Sequence, residues 1–459
     1  MGGGSLKTQL DFDGFTTFTQ GCKINQYETQ ALREAWLARG CREAAEPGQA
    51  RVVLINSCAV THRAVQDLRK AVRRFHKAQP EADIVVTGCA ARIFAEQIRD
   101  LPGIAAIVPQ EDKAGLARTC PTVQDGLTEL EPPAAEGSSR IFDLSISEFV
   151  RARPVLKIQD GCSQYCTYCI VPHTRGGPRS RKPEEILAEA RRLVRSGHQE
   201  IVLSGINLAQ YRRPESGLEG FWDLVLWLDH QLSAELGTGF RLRLSSLDPV
   251  LLSEQGLDVL ARTSNVCPHL HVSMQSGSPR VLRAMGRRPD SPELARSFFK
   301  RVPEIWPIHG LGMDVLLGFP GETREDFELT GKVCSTLDLT YAHVFSYSRR
   351  PGTRAADFGH QVGARIKKER SRILRSQVRA RQQAFWERLL DLEKLEIVVE
   401  GLNPPVGMSE FYTVCRMTEP PKKASKGSLV QARPVQLVDD GLLVEPVSAA
   451  WTDGPAQSF

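Results

Sequence analysis

The sequence predicts an α/β protein in three parts: an N-terminal doubly wound parallel-sheet domain, a central partial (βα)6 barrel, and a C-terminal small β-barrel. Three observations predict it. Apolar strand-like runs alternate with amphipathic helical stretches over residues 15–108. The same rhythm resumes near Arg153 and repeats six times. From about Leu395 short strand-like runs follow one another, separated by Gly, Pro and Lys turns. Alternating β and α patterns imply parallel sheets, and closely spaced short strands imply a small barrel.

In the first part, strands are expected at Phe15–Thr19, Arg51–Asn56, Asp83–Thr87 and Ile104–Val108, with helices at about Asn25–Ala38, His62–Lys77 and Arg92–Asp100. The stretch Pro121–Arg140, rich in Pro, Gly, Ser and Glu, has no apolar periodicity and reads as a linker. The central strands are expected at Val155–Ile158, Glu200–Leu203, Arg241–Leu244, His269–Val272, Leu311–Leu316 and Ala342–Phe345, with helices between them such as Pro183–Ser196 and Arg324–Leu337. The tail offers Ile397–Glu400, Phe411–Met417, Ser428–Val438 and Leu442–Pro446. The expected boundaries are 1–120, a linker over 121–147, 148–385 and 386–450.

At 459 residues, of which 41% are hydrophobic, the chain is long enough for several cores. No apolar run is long enough for a membrane span, and no secretory leader is visible, so the cytosol is the expected location. The net charge of +5 is mild, but the helical stretch Ala364–Leu389 holds nine Lys or Arg against two Glu. Alone it would be a solvated helix face. Placed between the barrel and the tail, it suits a polyanion.

Eleven cysteines in a cytosolic chain are not expected to form disulfides. Cys162, Cys166 and Cys169, in GCSQYCTYC, directly follow the first central strand. A tight loop with three thiolates suits one iron–sulfur cubane and leaves its fourth iron open, as catalysis requires. A zinc knuckle completed by His173 is the alternative; it leaves the aromatic Tyr168 and the following barrel unexplained. The spacing, with Tyr168 before the last cysteine, resembles the radical S-adenosylmethionine (SAM) superfamily. That resemblance implies a [4Fe–4S] cluster whose open iron binds SAM and, on one-electron reduction, releases a 5′-deoxyadenosyl radical. Ligands of βα barrels sit at the C-terminal ends of strands. The candidate SAM contacts are therefore Tyr168 after the first strand, Gly205 and Asn207 after the second, in a segment that resembles the one contacting SAM's methionine end in the superfamily, Ser245 and Ser246 after the third, and Gln275 after the fourth. Ser273, Asp314 and the GFPGET turn line the same rim.

Cys22, Cys58 and Cys89 each lie two or three residues beyond a predicted parallel strand, and each follows a small residue: Gly21, Ser57 or Gly88. They should meet along one sheet edge. Three unrelated buried thiols would not repeat that placement; Cys41, Cys120, Cys267, Cys334 and Cys415 lack it and read as packing residues. The segments GCKINQYE, NSCAVTHRA and TGCAAR are similar to the N-terminal domain of the methylthiotransferase family, and the tail to a TRAM domain. The resemblance implies a second [4Fe–4S] cluster on Cys22, Cys58 and Cys89 that carries or supplies the inserted sulfur. It also implies a sulfur donor and an electron donor such as a flavodoxin or ferredoxin.

GCKINQYE looks most like the group that acts on N6-threonylcarbamoyladenosine beside the tRNA anticodon. Asn207, where that group often has His, and the stretch Asn403–Lys426 depart from the pattern. The expected product is a methylthio group on C2 of that base at position 37, with the tRNA anticodon arm held by the basic helix and tail. The open alternatives are another tRNA adenosine, a ribosomal-protein aspartate, or a non-catalytic metal-containing RNA-binding protein. The tail is expected to be removable without loss of radical chemistry.

Overall fold

The computed structural model describes residues 14–46, 49–118, 144–237 and 239–449. The chain divides into two compact units, residues 1–145 with 173–175, and residues 146–172 with 176–459. Most of the expected linker lies outside the described residues, as does Cys120.

The first unit is an all-parallel sheet in the order Arg42–Glu43, Gly14–Thr19, Val52–Ser57, Asp83–Gly88, Ile104–Val108. Every residue of Val52–Ser57 is buried, which is why that central strand reads as an unbroken apolar run. The helix His62–Ala78 starts where Thr61 Oγ1 accepts the Ala64 N–H, and it buries Val65, Leu68, Val72 and Phe75 at helical spacing. The helix expected at Arg92–Asp100 is instead two short ones, Cys89–Ile93 and Ala95–Arg99, broken at Phe94. The edge strand Arg42–Glu43 was not expected, since two exposed residues carry no periodicity.

In the second unit the parallel strands Val155–Lys157, Glu200–Ser204 and Arg241–Leu244 form one hydrogen-bonded group. Ser246–Leu247, His269–Gln275, Gly310–Leu317 and Tyr341–Ser346 form the next. Ser245 joins them, donating its N–H to Leu203 at 3.0 Å. With the intervening helices this is the expected partial barrel. The helix Ala364–Leu389 has the predicted bounds, and its end carries Phe385, Trp386 and Leu389 into the core of the tail.

The tail is a closed barrel of Leu395–Leu402, Pro405–Ser409, Val414–Met417, Gly441–Ala449 and Leu429–Val438. The second of these was missed because Pro405 and Gly407 are poor strand signals. Gly407 is required there: a Cβ would lie 2.4 Å from the Val398 carbonyl oxygen.

The N-terminal ends of the central strands are closed by this tail. Arg241 donates to the carbonyls of Glu396 and Met408, and Arg243 to those of Ser409 and Glu410. Both arginines also hold Glu200, which is fully buried. Burial would raise the Glu200 carboxyl, but Arg243, Arg241 and Arg153 hold it well below the usual carboxylate range. Gly310 has no room for a side chain, since a Cβ would meet the Phe411 carbonyl oxygen at 2.2 Å. No helix among the described residues is long and apolar enough to cross a membrane.

Candidate functional site

The first unit brings Cys22, Cys58 and Cys89 to one edge of its sheet. Cys22 is the N-cap of Lys23–Ala38, Cys58 follows Val52–Ser57, and Cys89 opens Cys89–Ile93. Glycine makes this possible at two points. Gly88, at φ +95°, passes so close to the neighbouring strand that a Cβ would lie 2.4 Å from the Ser57 carbonyl oxygen. At Gly21, with φ +99°, a Cβ would meet the Cys58 Sγ at 3.0 Å. Burial pushes the Cys58 thiol up to about 11, with Cys89 and Cys22 adding like-charge repulsion. Cys22 reaches solvent, yet the protein around it still raises its pKa, and Arg175 opposes that rise. A metal would have to displace these protons, as thiolate ligation always does.

Behind the cysteines lies a buried polar network. Glu28 accepts from Lys113 Nζ at 2.6 Å, Gln110 Nε2 at 2.9 Å and Arg175 Nη1 at 2.9 Å. Arg175 also donates to Asn25 Oδ1 at 2.7 Å, and Asn25 ties Gln20 to Ser57 through their carbonyls. Two cations thus face one carboxylate beside three thiols, a surplus that suits an anionic thiolate-bound group. GCKINQYE is therefore mainly scaffold: Asn25, Tyr27 and Glu28 are buried, and only Lys23 of its charged residues is exposed.

In the second unit, the loop with Cys162, Cys166 and Cys169 is tied down at several points. Thr167 donates its N–H to Met285 O and accepts that of Ala355. Tyr165 adopts φ +48°, a left-handed conformation rare outside glycine. The sulfurs already accept hydrogen bonds: Cys162 from Gln164 N at 3.4 Å and Asn207 Nδ2 at 3.6 Å, Cys166 from Arg287 Nη1 at 3.8 Å. Arg287, which no local motif singles out, also grips Asp248 at 2.9 Å and the Ser273 carbonyl at 2.8 Å. Burial pushes Cys169 up to about 12 and raises Cys166, where Arg287 opposes it.

The rim residues take different places. Asn207 turns its amide to Cys162 and caps the short turn Leu208–Gln210. Gly205 makes room for Gln159, whose Oε1 accepts the N–H groups of Ile206 and Asn207 at 3.0 and 2.8 Å. Ser246 donates to Asp314 at 3.2 Å, while Ser245 is buried at the strand crossing. Gln275 sits at φ +70° beside a β-bulge, a strained conformation of the kind concentrated at binding sites. Tyr168 packs against Val281, Met285, Phe319 and Tyr347.

The donor sets fit iron–sulfur groups: soft thiols, and N–H groups that already aim at sulfur. As placed, the three sulfurs of neither triad lie within 4.8 Å of one another. Adjacent thiolates on one tetrahedral zinc lie about 3.8 Å apart. Among the described residues, the sole group of three ligand atoms within 4.8 Å of one another is His271, Asp314 and His343. Of the cysteines read as packing residues, Cys267, Cys334 and Cys415 are buried and free, but Cys41 is disulfide-bonded, contrary to expectation.

Residues 156–333 match the radical SAM superfamily, and residues 15–109 match the uncharacterized protein family UPF0004. The threonylcarbamoyladenosine tRNA methylthiotransferase MtaB of Aquifex aeolicus is 32% identical over 389 residues, 83% of this chain and 92% of that protein. Its namesake from Bacillus subtilis is 33% identical over 77% of each chain. Among solved structures, the radical SAM methyltransferase TsrM of Kitasatospora setae, with cobalamin and a [4Fe–4S] cluster bound, aligns with a TM-score of 0.54 at 16% identity, covering 74% of this chain and 77% of that one. That likeness concerns the fold. Radical SAM membership implies a [4Fe–4S] cluster and SAM. Built from an N-terminal parallel sheet, a radical SAM core and a five-stranded barrel, the chain belongs to the radical SAM methylthiotransferase family, in its MtaB group.

Proposed function

We propose that this transferase adds a methylthio group to C2 of N6-threonylcarbamoyladenosine at position 37 of tRNA. The observation that carries the reading is the pair of cysteine triads, one in each unit, each backed by positive charge: Arg175 near Cys22, Arg287 at Cys166. In this reading Cys162, Cys166 and Cys169 hold one [4Fe–4S] cluster, and Cys22, Cys58 and Cys89 a second. When bound, the clusters and SAM supply the carbon radical and the methylated sulfur that attack on an unactivated aromatic C–H demands. The chain's own residues orient them. Asn207, Gln164 and Arg287 donate to the first sulfurs, while Gln159 fixes the backbone at Ile206 and Asn207. Tyr168, Gly205, Ser245, Ser246 and Gln275 remain the candidates for enclosing SAM. The names of the relatives support the tRNA substrate. A sulfur donor and a flavodoxin or ferredoxin complete the cycle, in the cytoplasm.

The basic helix supports RNA docking, but several of its basic side chains are already engaged. Arg375 donates to the Val344 carbonyl, and Arg379 donates to the Asp439 carbonyl and stacks on Trp386. Lys367, Arg370, Arg381 and Arg388 are likewise engaged. Arg365, Lys368 and Arg372 are exposed, have no ion pair or hydrogen bond among the described residues, and follow one another on one helix face. They are the phosphate-contacting set in this reading.

The test is turnover of tRNA bearing or lacking the threonylcarbamoyl group, with nucleosides analysed by mass spectrometry. A methylthio mark confined to the substituted base supports the assignment. Equal turnover of both tRNAs refutes it.

A further inference from the structure

The strands His269–Gln275, Gly310–Leu317 and Tyr341–Ser346 set His271, Asp314 and His343 side by side on one face, with Asp314 opposite His343 in register. The other face of Tyr341–Ser346 is turned to the helix Ala364–Leu389, through Ser346 to Ser371 and Arg375 to the Val344 carbonyl. Asp314 Oδ1 lies 3.0 Å from His271 Nε2 and 3.0 Å from His343 Nδ1, and Oδ2 accepts the Ser246 hydroxyl at 3.2 Å. His271 Nδ1 is 2.9 Å from Tyr341 Oη, which also reaches His269 Nε2 at 3.1 Å. Gly312 gives that phenol its place, since a Cβ would lie 2.3 Å from the oxygen.

The cluster is held from behind and open in front. The His271 side chain is 9% exposed, Asp314 20% and His343 52%. His343 Nε2 has no hydrogen-bond partner among the described residues, and the exposed Phe345 ring lies edge-on, 6.2 Å away. This polar patch with an apolar neighbour continues from Ser246, one of the rim residues.

Resting on the function proposed above, we propose that His343, held on Asp314 and flanked by His271, takes the carboxylate at the end of the substrate's N6-substituent. An imidazole fixed by its Nδ1–H to one carboxylate presents its other nitrogen outward. A second carboxylate there is bound by an Nε2–H, so the ring binds it as the imidazolium. The groups facing His343 are Asp314, His271 and Tyr341. The Phe345 ring covers the apolar part of the substituent.

The test uses anaerobically reconstituted enzyme and three anticodon stem–loop RNAs: one with the threonylcarbamoyl group, one with its carboxylate converted to a carboxamide, and one with plain adenosine. Wild-type KM is expected to be about ten- to a hundred-fold lower for the acid than for the amide, the worth of a charge-assisted hydrogen bond. In His343→Gln that preference collapses toward unity, with the change in KM rather than kcat. Asp314→Asn should blunt the preference in the same way. An acid-to-amide ratio unchanged in both variants overturns the proposal, as does stoichiometric zinc bound at the triad with the ratio unmoved. If wild-type enzyme turns over plain adenosine as readily as either substituted RNA, the substrate assignment itself fails, which is a separate outcome.

Discussion

Lys113 Nζ lies 2.6 Å from Glu28 Oε2, with both side chains 1% exposed, in the polar network behind Cys22. Burial lowers the Lys113 pKa, and Glu28 opposes the shift. Glu28 is the one carboxylate between Lys113 and Arg175, so removing it strands two buried cations, and stranding a buried charge costs about 3–5 kcal/mol. Glu28→Gln should accordingly lower the unfolding midpoint of the first unit. The double variant Lys113→Met with Glu28→Gln should recover part of that loss. Denaturant titration followed by circular dichroism checks both; a single variant as stable as wild type would show that the pair is not buried in solution.

Iron content tests the triads separately. Wild-type protein reconstituted without oxygen should hold about eight irons, two cubanes' worth. Changing Cys22, Cys58 and Cys89 to Ala should leave about four irons and SAM cleavage intact, but no methylthiolated product. Changing Cys162, Cys166 and Cys169 should also leave about four, with cleavage abolished. Iron near four in the wild type after full reconstitution would sink the second cluster.

Cys162, Cys166 and Cys169 were singled out by their spacing in one loop. The placement of Cys22, Cys58 and Cys89 at one sheet edge was legible in the sequence because strand, small residue and cysteine recur in one order three times. The βα rhythm fixed the central strands to within a few residues for the same reason. Arg287 was not legible. Its contact with Cys166 joins residues 121 positions apart, and nothing in the local sequence distinguishes it from any other arginine. The arginines of the long helix show the opposite failure. Composition identified a basic helix, yet could not tell Arg372, which has no ion pair or hydrogen bond among the described residues, from Arg375 and Arg379, whose guanidinium groups are spent on neighbouring carbonyls.

That distinction predicts the behaviour of the helix. The triple variant Arg365→Glu, Lys368→Glu, Arg372→Glu should weaken tRNA binding by more than tenfold at low salt and flatten its salt dependence, with modified and unmodified tRNA affected alike. Filter binding across a salt series is the measurement. An unaltered salt slope would remove this face from the docking surface.

Glu410 predicts a pH effect on stability. Burial raises its carboxyl to about 7, against 4.5 for the free side chain. A folded pKa above the unfolded one stabilises below the unfolded value, and that contribution is lost as pH rises through about 7. The total is at most about 3 kcal/mol, reduced by the solvent that still reaches the carboxylate. Wild-type protein should lose stability between pH 5 and 8 relative to Glu410→Gln, which should be nearly flat there. Thermal melts of both proteins across that range decide it; parallel curves would count against the assignment.

The contacts of Arg241 and Arg243 with the backbone of residues 396–410 set an order on the protein's birth. Both arginines leave the ribosome 155 to 167 residues before the carbonyls that receive them. Until then a nascent chain carries two guanidinium groups, only partly satisfied by Glu200, where the mature protein has a sealed base. A prematurely terminated product would share that defect permanently. The tail is therefore a keystone, set last, rather than an appendage, and deleting it should yield an aggregating chain that cellular proteases clear, in place of a trimmed but working enzyme.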